Sequence, residues 1–468
     1  MTGISGLPQA KRAAHEAAVT RLRDAYAAVP DGVPVRLAKP TSNLFRFRDP
    51  ASDTERVSLD VSAFARVIHV DPAARTAVVG GMTTYEDLCA ATLPHGLMPL
   101  VVPELKTITL GGAVTGLGIE ATSVWHGLPH ESVIEMQLLT GDGRVVIATR
   151  DNEHSDLFYG FPNSYGTLGY TLALTIELMP VKPYVHVRHF AFTDPKSCMD
   201  AIAEIARDGS YQGHKADFLD GVAFSTAELY LAVGAFSDKA PWVSDYTGPQ
   251  IYYQSLQTSR EDFLTVKDYI WRWDTDWFWC AGAFGLKNKV IRRLWPRKYR
   301  RSDVYRKLVA LDQKHGLTAA MYTKRHWPQR EFVTQDVEIP VERGHEFLAF
   351  FAEKVKMTPV WMCPVRLRGT ESWALYPMHP GDLYVNFGFW GTAPLPAGKG
   401  DGYYNRMVEE EVSVLGGHKS LYSTAFYSEE EFRRRYNGAA YDKLKAEYDG
   451  RGRLLGLYDK AVRRRLAR

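Results

Sequence analysis

No stretch of 18 consecutive apolar residues occurs in the 468-residue chain, so the sequence holds no helix suited to crossing a bilayer. The N-terminal segment, Met1 to Arg23, is polar and lacks the apolar centre of a secretory signal. Four cysteines, Cys89, Cys198, Cys280 and Cys363, lie far apart with no C-x-x-C pair. That argues against a zinc site, a redox dithiol or a disulfide framework, and for a reducing compartment. His126 and His130 have no carboxylate at ligand spacing, so no metal site is expected. The G-x-G-x-x-G of a Rossmann turn is missing, as is the Gly-Lys-Ser/Thr of a P-loop. A net charge of only +3 gives no general attraction to nucleic acid. These absences set the expectation of a cytoplasmic protein with neither metal nor nucleic acid as a partner.

What is present is a dense run of glycine. Gly111, Gly112, Gly116 and Gly118 fall within eight positions, directly after the β-branched Thr107-Ile-Thr. Glycine reaches φ > 0 and has no Cβ, so such a run lets backbone N–H groups converge on an anion. A bulged strand with a tight turn is the plainer reading of the same residues. With 45% hydrophobic and 24% charged residues the composition is that of an ordinary globular protein, and the length suits two or three domains. The 11 Trp and 25 Tyr suit either a wide apolar ligand site or a large core.

Residues 1–30 read as a surface helix ending near Pro30-Asp-Gly. Val67–Val70 and Thr76–Val79 flank a turn, a strand–turn–strand pattern. Thr83-Thr-Tyr-Glu86 reads as a capping box with Thr83 at the cap, opening a helix that Pro94 and Gly96 close. Strands at 133–139 and 145–148 are joined by Gly141-Asp-Gly, and a long strand from Thr171 stops at Pro180. From Val181 to about Lys399, strands at 186–192, 332–339 and 383–389 alternate with helical stretches at 198–206 and 345–356. That pattern predicts an antiparallel sheet covered by helices, and residues 401–468 are helix-rich and charged. The class is α+β.

The order Leu100-Val-Val-Pro-Glu-Leu, Thr107-Ile-Thr-Leu-Gly-Gly, Gly116-Leu-Gly-Ile-Glu, His126-Gly-Leu, Gly141-Asp-Gly, Ser155-Asp-Leu-Phe and Gly166-Thr-Leu-Gly resembles the vanillyl-alcohol-oxidase (PCMH) type of FAD domain. Phe218-Leu-Asp-Gly, Thr358–Pro364, Asp382–Gly388 and Tyr458-Asp-Lys extend the likeness to the 24-dehydrocholesterol reductase branch. Bacterial relatives of that branch include a reductase of 10-methylene fatty acyl chains in tuberculostearic acid synthesis.

The resemblance implies a two-part PCMH-type FAD-binding domain over residues 1–180, an antiparallel-sheet substrate (cap) domain over 181–400, and a return over 401–468 that completes the FAD domain. It further implies that Thr109, Gly111, Gly112, Gly116 and Gly118 line the FAD, with Ile119 and Glu120 beside the flavin and Gly166, Thr167 and Gly169 near the isoalloxazine. The usual first phosphate loop corresponds to Lys39–Arg46, which has no glycine and no histidine. Non-covalent FAD is therefore expected, with Thr41, Ser42 and Asn43 as side-chain donors. NADPH is the implied electron donor, in ping-pong order because no second nucleotide fold is present. A lipid methyltransferase is an implied partner in the same pathway.

An isolated lipid C=C is unpolarised, and protonating its less substituted carbon gives a tertiary cation that hydride from reduced flavin can quench. A 10-methylene acyl chain and a sterol side-chain alkene both meet that requirement. Such a site needs a general acid kept protonated by burial, and aromatic faces beside the cation. Glu120 is the first candidate acid, or else it caps a loop. Asp220 is the second, in an Asp-Gly pair that is equally a turn signal. Tyr165 donates a proton or packs on the ring; His418 and Lys419 contact flavin or substrate, or sit in an exposed loop. Trp361, Tyr384 and Phe389 wall the substrate channel or belong to the core. Oxidation of alcohols or sugars is the alternative activity within the superfamily.

The segment Trp271–Trp279 is rich in tryptophan, and Lys287, Lys289, Arg292, Arg293, Arg297, Lys298, Arg300 and Arg301 follow it. No acidic residue lies between Trp277 and Ser302. Trp, Lys and Arg favour an anionic bilayer interface, so residues 271–301 read as a peripheral membrane-docking patch that admits lipid at the inner face of the membrane. Buried tryptophans behind a solvated helix are the alternative.

Overall fold

The computed structural model describes residues 3–39, 44–46 and 56–462. Thr41, Ser42, Asn43 and the Arg463-Arg-Arg465 tail lie outside them. Helix α1 (Gln9–Ala27) buries His15, Ala18, Leu22 and Tyr26, a single face at helical spacing. Strand β1 (Val35–Leu37) pairs in parallel with β2 (Val57–Leu59). A six-stranded sheet follows, built from β3 (Val67–Asp71), β4 (Thr76–Gly80), β5 (Leu97–Pro99), β6 (Val133–Thr140), β7 (Val145–Thr149) and β8 (Gly169–Pro180). Its order is β3-β4-β8-β6-β7, with β5 against the end of β8.

The second sheet is antiparallel throughout. It comprises β9 (Tyr184–Phe192), then, after a small hairpin of β10 (Ser210–Tyr211) and β11 (His214–Lys215), β12 (Phe218–Ser225), β13 (Glu228–Ser237), β14 (Glu261–Thr265), β15 (Arg330–Pro340), β16 (Val360–Val365), β17 (Tyr384–Pro394) and β18 (His418–Lys419). The order is β14-β9-β13-β12-β16-β17-β15-β18. Side chains alternate between its two faces. Leu219, Met362, Phe387, Val337 and Ile339 face a core shared with the helices Pro195–Asp208, Gly344–Lys354 and Tyr403–Val414. Phe218, Trp361, Cys363 and Trp390 face the first half of the chain.

Three expectations need correction. The helix α2 (Tyr85–Thr92) is capped by Thr84, whose Oγ1 accepts from Asp87 N at 3.1 Å, not by Thr83. Glu86 is thereby released to pair with Arg301 at 2.8 Å. The return to the first half of the chain falls near residue 420, not 401. The helix Tyr403–Val414 packs on β15 and β18 pairs with it, whereas Lys445 Nζ donates to Thr167 O at 2.7 Å and Arg453 to Tyr26 O at 3.0 Å. Finally, Trp271, Trp273, Trp277, Phe278 and Trp279 are all buried; Trp273, Phe278 and Trp279 pack on one another and on Trp361 and Trp390, and Trp277 stacks on Phe45. Those tryptophans belong to the joint between the halves, the buried alternative of the sequence reading.

Candidate active site

The two halves enclose a cavity of about 970 Å³, at the upper end of the roughly 300–1,000 Å³ of small-molecule sites. The glycine segment forms one wall. Thr109 caps α3 (Leu110–Thr115), accepting from Gly112 N at 3.3 Å. Thr109, Gly111, Gly112, Gly118 and Ile119 line the cavity, as do Tyr165, Gly166 and Gly169. Gly116 and Thr167 do not line it: Gly116 packs on the Tyr165 ring, and Thr167 is buried with its hydroxyl on Ser164 O. A Cβ on Gly111 would lie 2.6 Å from Gly81 O, and one on Gly118 2.7 Å from Pro103 and Pro129. Backbone approach is therefore one reason for these glycines.

The α3 amides are also already engaged. Leu110 N donates to Thr83 O and Gly111 N to Gly81 O, both at 2.9 Å, and Gly112 N to Thr109. An anion clasp made of these amides does not form. A donor beside the cradle is Lys39, which sequence reasoning passed over as part of a loop without glycine. Its Nζ donates to Thr109 Oγ1 at 3.1 Å and lines the cavity, with no carboxylate in salt-bridge range among the described residues. Reachable by solvent from the cavity yet deeply surrounded by protein, the ammonium is lowered to about 8 by desolvation. A Cβ on Gly112 would come within 2.8 Å of Thr109 Oγ1 and 3.8 Å of Lys39 Nζ, filling the cradle between them. Cradle, cation and cavity volume fit a diphosphate-bearing dinucleotide. Lys39→Met is expected to weaken FAD binding about 10- to 100-fold, measured by flavin fluorescence titration.

The opposite wall is aromatic: Trp277, Phe278, Trp361, Trp390 and Tyr422. Of the three predicted channel residues only Trp361 is there. Tyr384 sits at the start of β17 against His418, and Phe389 stacks on Phe351 in the helix-side core. Strand alternation explains the miss, because the residue after Phe389, Trp390, is the one turned to the cavity.

Two buried acid clusters flank this wall. The first centres on Arg272, whose fully buried guanidinium contacts Asp220 Oδ2 at 2.7 Å, Glu104 Oε1 at 3.3 Å and Glu120 Oε1 at 3.8 Å. Tyr269 stacks on it at 4.0 Å. Asp220 also accepts from Trp273 Nε1 at 3.0 Å and Trp361 Nε1 at 3.2 Å, and it lies inside β12 rather than in a turn. Glu120 is wholly buried outside the cavity and accepts from Thr122 N at 2.7 Å, the loop-capping role. Glu104 alone of the three carboxyls reaches the cavity. Burial raises it well above the usual carboxylate range, with Glu120 and Asp220 adding to the rise and Arg272 opposing it. One guanidinium cannot neutralise three carboxylates, so the cluster holds a proton.

The second cluster lies on β15, where Asp336 and Glu338 share the face turned from the helices. Asp336 lines the cavity, accepts from Asn386 Nδ2 at 2.9 Å, and bonds the hydroxyl of Tyr422, which itself accepts from Trp390 Nε1 at 2.8 Å. Burial raises Asp336 to about 7 and, with Asp336 beside it, Glu338 to about 8. His418 Nε2 lies 3.3 Å from Glu338 Oε2, out of line for a hydrogen bond, and burial lowers the imidazole to about 3. Both are therefore uncharged at neutral pH. Lys419 points elsewhere, to Glu409 at 2.7 Å and Thr424 O at 2.6 Å, and ties residues 403–426 together. Neither His418 nor Lys419 lines the cavity or sits in an exposed loop.

The raised carboxyls carry a pH signature. Between the ordinary values of 3.8 and 4.5 and the raised ones, the folded chain binds more protons than the unfolded chain, so stability falls as pH rises. The slope approaches about 1.4 kcal/mol per pH unit for each group. Glu338→Gln is expected to remove one such downward contribution, so that its melting temperature gains on the parent's as pH rises from 5 to 8, read by paired thermal melts across the range.

Residues 14–149 match the family model of the FAD binding domain. Over 338 residues the chain is 27% identical to the Delta(24)-sterol reductase of Homo sapiens, covering 69% of this chain and 62% of that protein. With the Delta(24)-sterol reductase of Arabidopsis thaliana it shares 25% over 449 residues, 87% of this chain and 77% of the relative. The decaprenylphosphoryl-beta-D-ribose oxidase of Mycolicibacterium smegmatis is 26% identical over 315 residues, 66% of this chain and 64% of that protein. The chain thus spans less than two thirds of the human relative's length. It carries an FAD binding domain within an α+β fold of the PCMH type.

Proposed function

We propose that this chain is an FAD-dependent oxidoreductase that reduces an isolated C=C of a lipid, a 10-methylene acyl chain of a phospholipid ahead of a sterol side chain, with NADPH as reductant. The observation that carries the reading is Glu104, a carboxylic acid kept protonated at the edge of an aromatic cavity lined on its far side by the FAD binding domain. FAD, when bound, supplies the two-electron hydride carrier. Lys39 and Thr109 bind its diphosphate, and Gly111, Gly112, Gly118 and Ile119 let it approach the wall.

Glu104 delivers a proton to the less substituted alkene carbon. Arg272 stabilises the carboxylate that remains, and the faces of Trp361, Trp277 and Trp390 stabilise the cation and exclude water. Reductases of a sterol alkene among the relatives support this chemistry.

The relative that oxidises a phosphoryl ribose supports a second reading, oxidation of an alcohol. The two separate in one experiment: holoprotein is photoreduced anaerobically, then mixed with 10-methylene phospholipid, with a Δ24 sterol, or with air. Reoxidation by a lipid alkene, with the saturated product seen by mass spectrometry, is the expected result. Reoxidation by air within milliseconds, with neither alkene consumed, sinks the reductase reading in favour of the oxidase.

A further inference from the structure

The six-residue helix Lys289–Leu294 is inside out. Its one buried side chain is Arg292, 1% exposed, while Val290 is 67% and Leu294 78% exposed, with Ile291 beside them. Leu294 lies four positions from Val290 and three from Ile291, both neighbour spacings on a helix, so these three aliphatics form one outward patch. A globular helix normally does the reverse.

The inversion is held from behind. Arg292 donates to Gly248 O at 2.9 Å, Tyr246 O at 3.0 Å and Gln250 O at 3.1 Å, and pairs with Asp276 at 3.3 Å. Arg300, also buried, donates to Trp295 O at 2.8 Å and Gly248 O at 2.9 Å, and bonds Arg292 O. Asn288 caps the front of the helix through Val290 N at 2.9 Å. The aliphatics are thus fixed in solvent by a built scaffold.

The charges nearest the patch in sequence are basic, and the exposed acid beside them, Asp245, is paired with Arg297. Lys289, Arg293 and Lys298 are exposed and enter no salt bridge among the described residues, and no acidic residue lies between Trp277 and Ser302. The patch is also continuous with the cavity. Trp295, next to Leu294, belongs to an apolar cluster with Phe284, Phe45, Leu105 and Trp277, and the last three line the cavity.

We propose that Val290, Ile291 and Leu294, ringed by Lys289, Arg293 and Lys298, dock this protein on an anionic lipid bilayer. An apolar face set in basic residues, with the neighbouring Asp245 neutralised by Arg297, complements the headgroup boundary of such a bilayer. The surface replaces the buried tryptophans as the membrane contact. The inference is independent of the redox chemistry, because vesicle binding needs no turnover.

The test is flotation of the full holoprotein with vesicles of phosphatidylcholine alone or of phosphatidylcholine mixed with anionic phosphatidylglycerol. Binding to the anionic vesicles only, weakened by salt, is expected. Each basic side chain near the surface is worth roughly a fivefold change in partition, so Lys289→Glu with Arg293→Glu should lower binding more than tenfold. Val290→Gln with Leu294→Gln should lower it by a similar factor. Hydrogen exchange on the unaltered protein gives a second reading, with slower exchange over 289–299 when anionic vesicles are added. Absence of vesicle binding, undiminished binding in both double variants, or a patch whose substitution breaks a dimer while vesicle binding persists, overturns the proposal.

Discussion

Glu104→Gln is expected to lose lipid-alkene reduction by a factor of about 10²–10⁴, the usual worth of a positioned general acid. Glutamine keeps the shape and an oxygen for Arg272 but has no acidic proton to give. Flavin absorbance and FAD affinity should be unchanged, because the diphosphate donors lie across the cavity at Lys39 and Thr109. The clean measurement is single-turnover reoxidation of the reduced protein by the alkene, which isolates the proton-dependent half of the cycle. If that rate survives, the acid is elsewhere, and Asp336 is the next group to replace. Glu120→Gln should be milder, since Glu120 reaches the cavity only through its effect on Glu104.

Arg272→Met is expected to be the most destabilising single change in the site. It leaves Glu104, Glu120 and Asp220 together in a dry interior without the guanidinium that all three face, a loss of about 3–5 kcal/mol at neutral pH. The carboxyls can escape by binding protons, which gives the loss a direction. Without Arg272 the raised values of Glu104 and Glu120 rise further above the unfolded ones, so stability falls more steeply as pH increases through that window. The variant should approach the parent near pH 5 and fall well below it at pH 8, read as melting temperature. An equal deficit at both ends would mean that Arg272 acts by packing alone. Arg272→Lys should rescue little, because an ammonium lacks the planar fork that meets several carboxylates at once.

Much of this architecture was legible in the sequence. Alternation and turn signals located β3, β4, β6, β7 and β8 of the first sheet but only β9, β15 and β17 of the second, and the glycine run marked a cavity wall. What stayed hidden was orientation. Glu104 and Glu120 sit in one quoted segment, and nothing local says which turns to the cavity; that is set by Arg272, 168 positions away from Glu104. A lone arginine between Trp271 and Trp273 was the available clue, since an arginine among tryptophans is buried and needs carboxylates. Asp336 and Glu338 alternate with Val337 and Ile339, which by period alone reads as a solvent face. In this fold that face is the cavity wall. Composition likewise could not tell tryptophans that seal an interdomain joint from tryptophans that face lipid, nor reveal that Arg292 points inward and Leu294 outward.

The late crossing of the chain has a consequence for biogenesis. Leu455 and Lys460 line the same cavity as Val35 and Lys39, and Arg453 bonds the carbonyls of Tyr26 and Val29 at 3.0 and 3.2 Å. A polypeptide leaving the ribosome must therefore finish the whole eight-stranded sheet before its earliest elements find their last neighbours. The wall that Leu455 and Lys460 add to the cavity is consequently the last to be placed, and the cavity is completed only when the end of the chain has folded back.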